Sequence, residues 1–176
     1  GSATIAAGTT ANELLEATAE FEPVTGRYVR ITITEWWPHP SGGNDWAAMV
    51  ETAVYEANVI TEGGTVSTIE NLVPGSTVAA SNNVNNASLF VDGDTATDTY
   101  ADNRNAEASV TLDLGEEKSI SSFTVWAKMN SDASPRPFGI KTAKIEISDS
   151  QDSGFTEVGS ATIAAGTTAN ELLEAT

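Results

Sequence analysis

The sequence predicts an all-β protein built as an antiparallel sandwich. The main observation is a hydrophobic period of two. In Tyr28-Val29-Arg30-Ile31-Thr32-Ile33-Thr34 the apolar set is Val29, Ile31 and Ile33, and in Val110-Thr111-Leu112-Asp113-Leu114 every second residue is again apolar. Phe123, Val125 and Ala127 alternate with Thr124, Trp126 and Lys128, and Ile145 and Ile147 alternate within KIEIS. Such strands have one core face and one wet face, as antiparallel sandwiches require. Composition supports this. There is no cysteine, hence no disulfide framework or thiolate metal site, and no apolar run approaches 18 residues.

The chain opens with GSATIAAGTTANELLEAT, and Gly159 to Thr176 repeat those eighteen residues without a change. The offset of 158 residues is the size of an ordinary domain. Two explanations fit: a window on a tandem repeat, or a circular permutation. Within this stretch and just beyond it, Leu15, Ala17, Ala19 and Phe21 alternate with Glu16, Thr18, Glu20 and Glu22, which predicts a strand. The second copy therefore ends inside a strand, which favours the window. The least strand-like stretch is Asn58 to Thr65, and Gly63-Gly64 inside it marks a linker.

A net charge of −17 argues against nucleic acid and anionic membranes, which need clustered Lys and Arg. It suits neutral partners and cations, although solubility alone also explains it. No leader peptide is recognisable. Catalysis is not expected. There is one His and no Cys, and neither a Gly-x-Ser-x-Gly elbow nor a phosphate-binding glycine loop is present.

Read in rotated order, residues 65–176 followed by 19–60 resemble a discoidin domain, the factor V/VIII C-type family, and within it the family 32 carbohydrate-binding modules. The likeness is carried by ENLVPGSTVAASNN, LFVDGDTATDTY, VTLDLGEEKSISSFTVW, IKTAKIEISDSQDSGFTEVGS, RYVRITITE and MVETAVYE. The resemblance implies an eight-stranded jelly-roll β-sandwich whose last two strands come first here. That sandwich is expected to be completed between tandem repeats or circularly permuted. The expected division is 1–60, the C-terminal part of one repeat; 61–66, a linker; and 67–176, the N-terminal part of the next. On the tandem reading, each part is completed by a neighbouring copy, and Glu51 meets Asp92 of another copy.

Three groups of residues could carry function. The first is Asp92-Gly93-Asp94-Thr95-Ala96-Thr97, where carboxylates, a hydroxyl and a glycine turn suit a hard cation such as Ca²⁺. In modules it resembles, this loop binds Ca²⁺ with a Glu of the last strand. The resemblance maps Asp92, Thr97 and Glu51 by side chain, and Leu89 and Asp94 by backbone carbonyl. Thr99 stands where the family usually has Trp, and Tyr100 follows. The plain alternative is a solvated acidic turn.

The second is Glu35 to Trp46, a loop with Trp36, Trp37, His39 and Trp46. Exposed Trp gains from meeting an apolar surface, and sugar rings present one. The alternative is that Trp36 and Trp37 plug the sandwich end. The third is Asn130 to Pro137, where Asn130 and Arg136 could hold sugar hydroxyls or simply belong to a surface loop. Asn86-Ala87-Ser88 is a glycosylation sequon.

Two functions follow as expectations. One is a non-enzymatic, Ca²⁺-stabilised, glycan-binding module, a unit of a tandem-repeat adhesin or fibre outside the cell or on its surface. Its partners would be neighbouring repeats and cell-surface or matrix glycans. The other is a purely structural repeat of an extracellular filament or stalk.

Overall fold

The computed structural model describes residues 2–5, 14–37, 46–57, 70–129 and 137–163. Nine strands run through them: β1 (Ser2–Ile5), β2 (Leu14–Trp37), β3 (Ala47–Met49), β4 (Glu51–Glu56), β5 (Thr77–Asn82), β6 (Thr99–Ala101), β7 (Ala108–Met129), β8 (Pro137–Ser148) and β9 (Thr156–Ile163). Two short 3₁₀ turns, Val73–Gly75 and Ala87–Phe90, are the only helical elements among the described residues.

β2 and β7 are long because each passes through both layers of the sandwich. The first part of β2 runs antiparallel to the end of β7, from Leu14 opposite Lys128 to Gly26 opposite Lys118. After an irregularity at Gly26/Tyr28, the later part pairs with the start of β7, from Tyr28 opposite Asp113 to Ile33 opposite Ala108. At this corner Arg27 grips Asp113 with two hydrogen bonds of 2.7 and 2.8 Å, and the guanidinium holds the Asp113 carboxyl below its usual range. Counting the halves separately gives eight strand passes. One layer has three, β4, late β7 and early β2; the other has five, β5, early β7, late β2, β8 and β9. β1 is an extra strand outside β9.

The alternation read from the sequence decides what lies between the layers. Ala17, Ala19, Phe123, Val125 and Ala127 come from one layer and Val29, Ile31, Ile33, Val110, Leu112, Ala143 and Ile145 from the other. All are completely buried in one core. The layers approach closely, since a Cβ on Gly159 of β9 would come within 2.8 Å of Phe21 of β2. Leu15, Ala17 and Ala19 point inward while Glu16 and Glu20 are exposed, as a strand of period two predicts.

The expectation that each part is completed by a neighbouring copy is not what this chain shows. β2 and β4 share one sheet with β5, β7, β8 and β9, and Glu51 reaches the Asp92 loop of its own chain. The backbone is stitched across the gap: Glu56 N–H donates to Glu70 O (3.1 Å) and Leu72 N–H to Val54 O (2.8 Å). Late β7 needs both of its edges covered, and strands of the same chain cover them without the entropic cost of association that a neighbouring copy would incur. The predicted linker 61–66 lies outside the described residues.

Candidate functional site

Strand register brings the described residues that flank the candidate loops to one end of the sandwich. Both ends of β2 arrive there: Leu14 is opposite Lys128, Trp37 is opposite Gly139, and Lys128 is itself opposite Phe138. β4 starts at this end, with Glu51 opposite Trp126, and β5 finishes there, with Asn82 opposite Ser109. The end is therefore a rim of inter-strand loops.

On this rim Glu51 is buried, with 2% of its surface exposed. Its Oε1 accepts the Thr52 N–H at 2.7 Å and its Oε2 accepts the Gly93 N–H at 2.8 Å. The Asp92 carboxyl lies against it. Burial pushes the Glu51 carboxyl up to about 8, further than the two N–H groups can pull it back. Asp92 behaves in the opposite way. Burial opposes its charge, but the Asp94 N–H, the Thr97 hydroxyl and Glu51 outweigh that and hold its carboxyl below the usual range. The two carboxyls are thus pushed apart, Glu51 toward its protonated form and Asp92 toward its ionised form.

The rest of the loop closes around Asp92. The Asp94 N–H donates to Asp92 Oδ1 at 2.8 Å, and Thr97 Oγ1 is 3.0 Å from Asp92 Oδ2 and 2.9 Å from Asp94 O. Gly93 takes φ +80, the left-handed conformation that turns its N–H toward Glu51. The Asp94 carboxylate instead accepts the Ala96 N–H at 2.8 Å, so only its carbonyl faces Thr97. Leu89 lies just upstream, on the 3₁₀ turn Ala87–Phe90.

The donor set fits a hard cation. A buried carboxylate, a second carboxylate, a hydroxyl and a backbone carbonyl converge, and the described residues offer Glu51 no cationic side chain. No three acidic, His or Cys side chains gather among the described residues, so a cation here would depend on backbone oxygens as well.

Beside this pair lies an aromatic surface. Trp46 (39% exposed) meets Tyr100 (41% exposed) edge to face, with ring centres 6.1 Å apart. Tyr100 lies in the small β3–β6 ladder, opposite Ala48, and Trp46 directly precedes β3. Trp36 packs on the core and donates its Nε1–H to Ala106 O at 3.1 Å. Trp37 lies on β2 next to it. Lys141 Nζ sits 5.4 Å from the Trp37 ring centre, and Trp37 Nε1 has no acceptor among the described residues. Gly139, at φ +99, lets β8 pass directly against the carbonyl of Ala48, where any side chain would collide.

The structure therefore joins Glu51, Asp92, Thr97 and the Asp94 carbonyl, and sets Trp36, Trp37 and Trp46 on the same rim. His39, Asn130 and Arg136 lie outside the described residues. Tyr100 and Lys141 were not anticipated as site residues. Tyr100 was findable, because Thr99 and Ala101 are the buried members of a period-two pattern that leaves the tyrosine outside.

Residues 89–175 match the family model described as a NedA-like, galactose-binding domain of the F5/F8 type C group. The match spans just under half of the chain, and over that stretch the sequence is similar to a discoidin-type domain. The match agrees with the discoidin likeness read from the sequence, and the nearly all-β, mostly antiparallel fold is consistent with a jelly-roll sandwich. The matched stretch includes the Asp92 loop and β6 to β9, and the fold adds β2, β4 and β5 to the same sandwich. Domains of this discoidin type are binding domains rather than catalytic ones. No curated protein matches the chain. No helix among the described residues is long and apolar enough to cross a membrane.

Proposed function

We propose that this discoidin-type domain is a non-enzymatic glycan-binding module, stabilised by Ca²⁺ and acting outside the cell or on its surface. The observation that carries this reading is the match to a galactose-binding family in a chain that exposes Trp46 and Tyr100 together on the loop rim. An aromatic pair offers an apolar platform for one face of a sugar ring, and neighbouring polar groups can select its hydroxyls. Ca²⁺ would be held by Glu51, Asp92 and Thr97, with backbone oxygens of Asp94 and Leu89. Its charge would let Glu51 ionise and so lock β4 to the loop beneath the platform.

A glycan array and calorimetry with galactosides and amino sugars in Ca²⁺ test the reading. Binding that weakens in Trp46→Ala supports it. Silence across a broad array with Ca²⁺ present overturns it. The duplicated eighteen residues support a role as one unit of a tandem-repeat adhesin or fibre. If the array is silent, the same duplication favours a structural repeat without a sugar ligand.

A further inference from the structure

β9 would be the edge of the larger layer if β1 did not cover it. The pairing between them differs from every other described pairing in the molecule. It is parallel, and each residue faces its own duplicate: Ser2 opposite Ser160, Ala3 opposite Ala161, Thr4 opposite Thr162 and Ile5 opposite Ile163. The other named pairings are antiparallel. In-register parallel stacking of identical segments is also how separate copies of one segment associate.

The sandwich needs each half of the duplicated segment once. Ser160–Ile163 fill the place beside β8, with Ala161 opposite Ala143 and Thr162 opposite Thr142. Residues 14–18 fill the place beside late β7. Ser2–Ile5 is therefore surplus to the eight strand passes. Its pairing is backbone register between identical segments, and the same SATI is carried by every copy of the chain.

We propose that the outer edge of β9 is a strand-acceptor site whose partner is the Ser2–Ile5 segment of a second copy of this chain. Donor and acceptor are different surfaces, so the contact is heterologous and leaves each copy with one free donor or acceptor. Such contacts propagate into linear assemblies. Only residues 6–13 separate β1 from β2, and a tether of that length gives the segment of the same chain an effective concentration of roughly mM. Exchange between copies therefore competes at mM protein, or wherever copies are held close together. The inference uses backbone register alone and does not depend on the glycan reading.

The chain has no cysteine, which makes a clean cross-linking test. Thr4→Cys is mixed with isotopically labelled Thr162→Cys, and the two are unfolded, refolded together and oxidised. Neighbouring strands put paired Cα atoms within disulfide reach. We expect a mixed-mass dimer at about 1 mM that falls roughly 100-fold, relative to monomer, at about 10 µM. The double variant Thr4→Cys/Thr162→Cys should close within one chain at the lower concentration. Adding Ala3→Pro and Ile5→Pro to the Thr4→Cys partner should abolish the dimer, because proline removes backbone donors. Two results overturn the proposal. One is a dimer yield no higher than that of a Thr4→Cys and Ser88→Cys control mixture. The other is failure of the double variant to close, which would mean that the strand pairing does not form.

Discussion

Glu51 makes stability depend on pH in a direction opposite to that of most carboxylates. Its carboxyl is pushed up to about 8 by burial, against roughly 4.3 in an unfolded chain. Between these values the folded protein keeps a proton that the unfolded chain releases. Stability from this group is therefore fully present below about pH 4.3 and lost as pH rises to about 8, with no further change above. A gap of between three and four units corresponds to on the order of 4–5 kcal/mol over the whole window. Asp92 runs the other way. Its folded value is lowered, so its contribution is present above about 3.9 and lost only in stronger acid, outside the window. The perturbation is Glu51→Gln, which keeps the volume but cannot ionise. It turns one oxygen away from Thr52 or Gly93 and costs about 1–3 kcal/mol for the stranded N–H. The assay is urea unfolding at steps from pH 5 to 9 in chelator, with both proteins carrying His39→Gln because His titrates in the same range. The parent should be the more stable at pH 5 and should lose its advantage by pH 9. The general repulsion of a net charge of −17 affects both and cancels in the difference. Parallel curves for parent and variant would refute the assignment of the proton to Glu51.

Four further outcomes are expected. Ca²⁺ at about 100 times its Kd should add roughly 2.7 kcal/mol of folded-state stability, lost in Glu51→Ala, and an unchanged Tm in chelator for metal-free protein would reject the site. Its binding at pH 7 should release protons, up to one per site, because Glu51 must ionise, and the release should fade well above pH 8; calorimetry in two buffers of different ionisation enthalpy reads this. Trp46→Ala and Tyr100→Ala should each weaken galactoside binding by roughly tenfold, about 1.4 kcal/mol, with little change in Tm since both rings are exposed. Gly139→Ala should destabilise by about 1–3 kcal/mol or more, seen in urea unfolding, because the new Cβ meets the Ala48 carbonyl and φ is +99.

Much of this was legible because the information is local. A period of two names the inward face of a strand without reference to its partner, and Leu15 through Ala19, Val29 through Ile33 and Phe123 through Ala127 all follow it. The Asp92 turn was legible for the same reason, since its hydrogen bonds run between residues two to five apart. The link from Glu51 to this turn spans 42 positions and was reached only through the family likeness. The upward push on the Glu51 carboxyl was not legible at all, because it depends on burial created by β4, late β7 and the loop together. Nor was the edge-to-face pair of Trp46 and Tyr100, whose contact exists only through the β3–β6 ladder.

The duplicated segment poses a question that no residue pattern can answer, because its copies are identical. Covalent continuity answers it. Ser160–Ile163 continue directly from Thr156–Gly159, already paired with β8, so they enter the sheet without closing any loop. Residues 14–18 likewise continue into Ala19–Trp37, which lines both halves of β7. A rival copy would need a new closure to reach either place, with an entropic cost that grows with loop length. Each place is therefore taken by the copy already tied to a long strand, and Ser2–Ile5, with no place left beside β8, pairs with its own duplicate on β9.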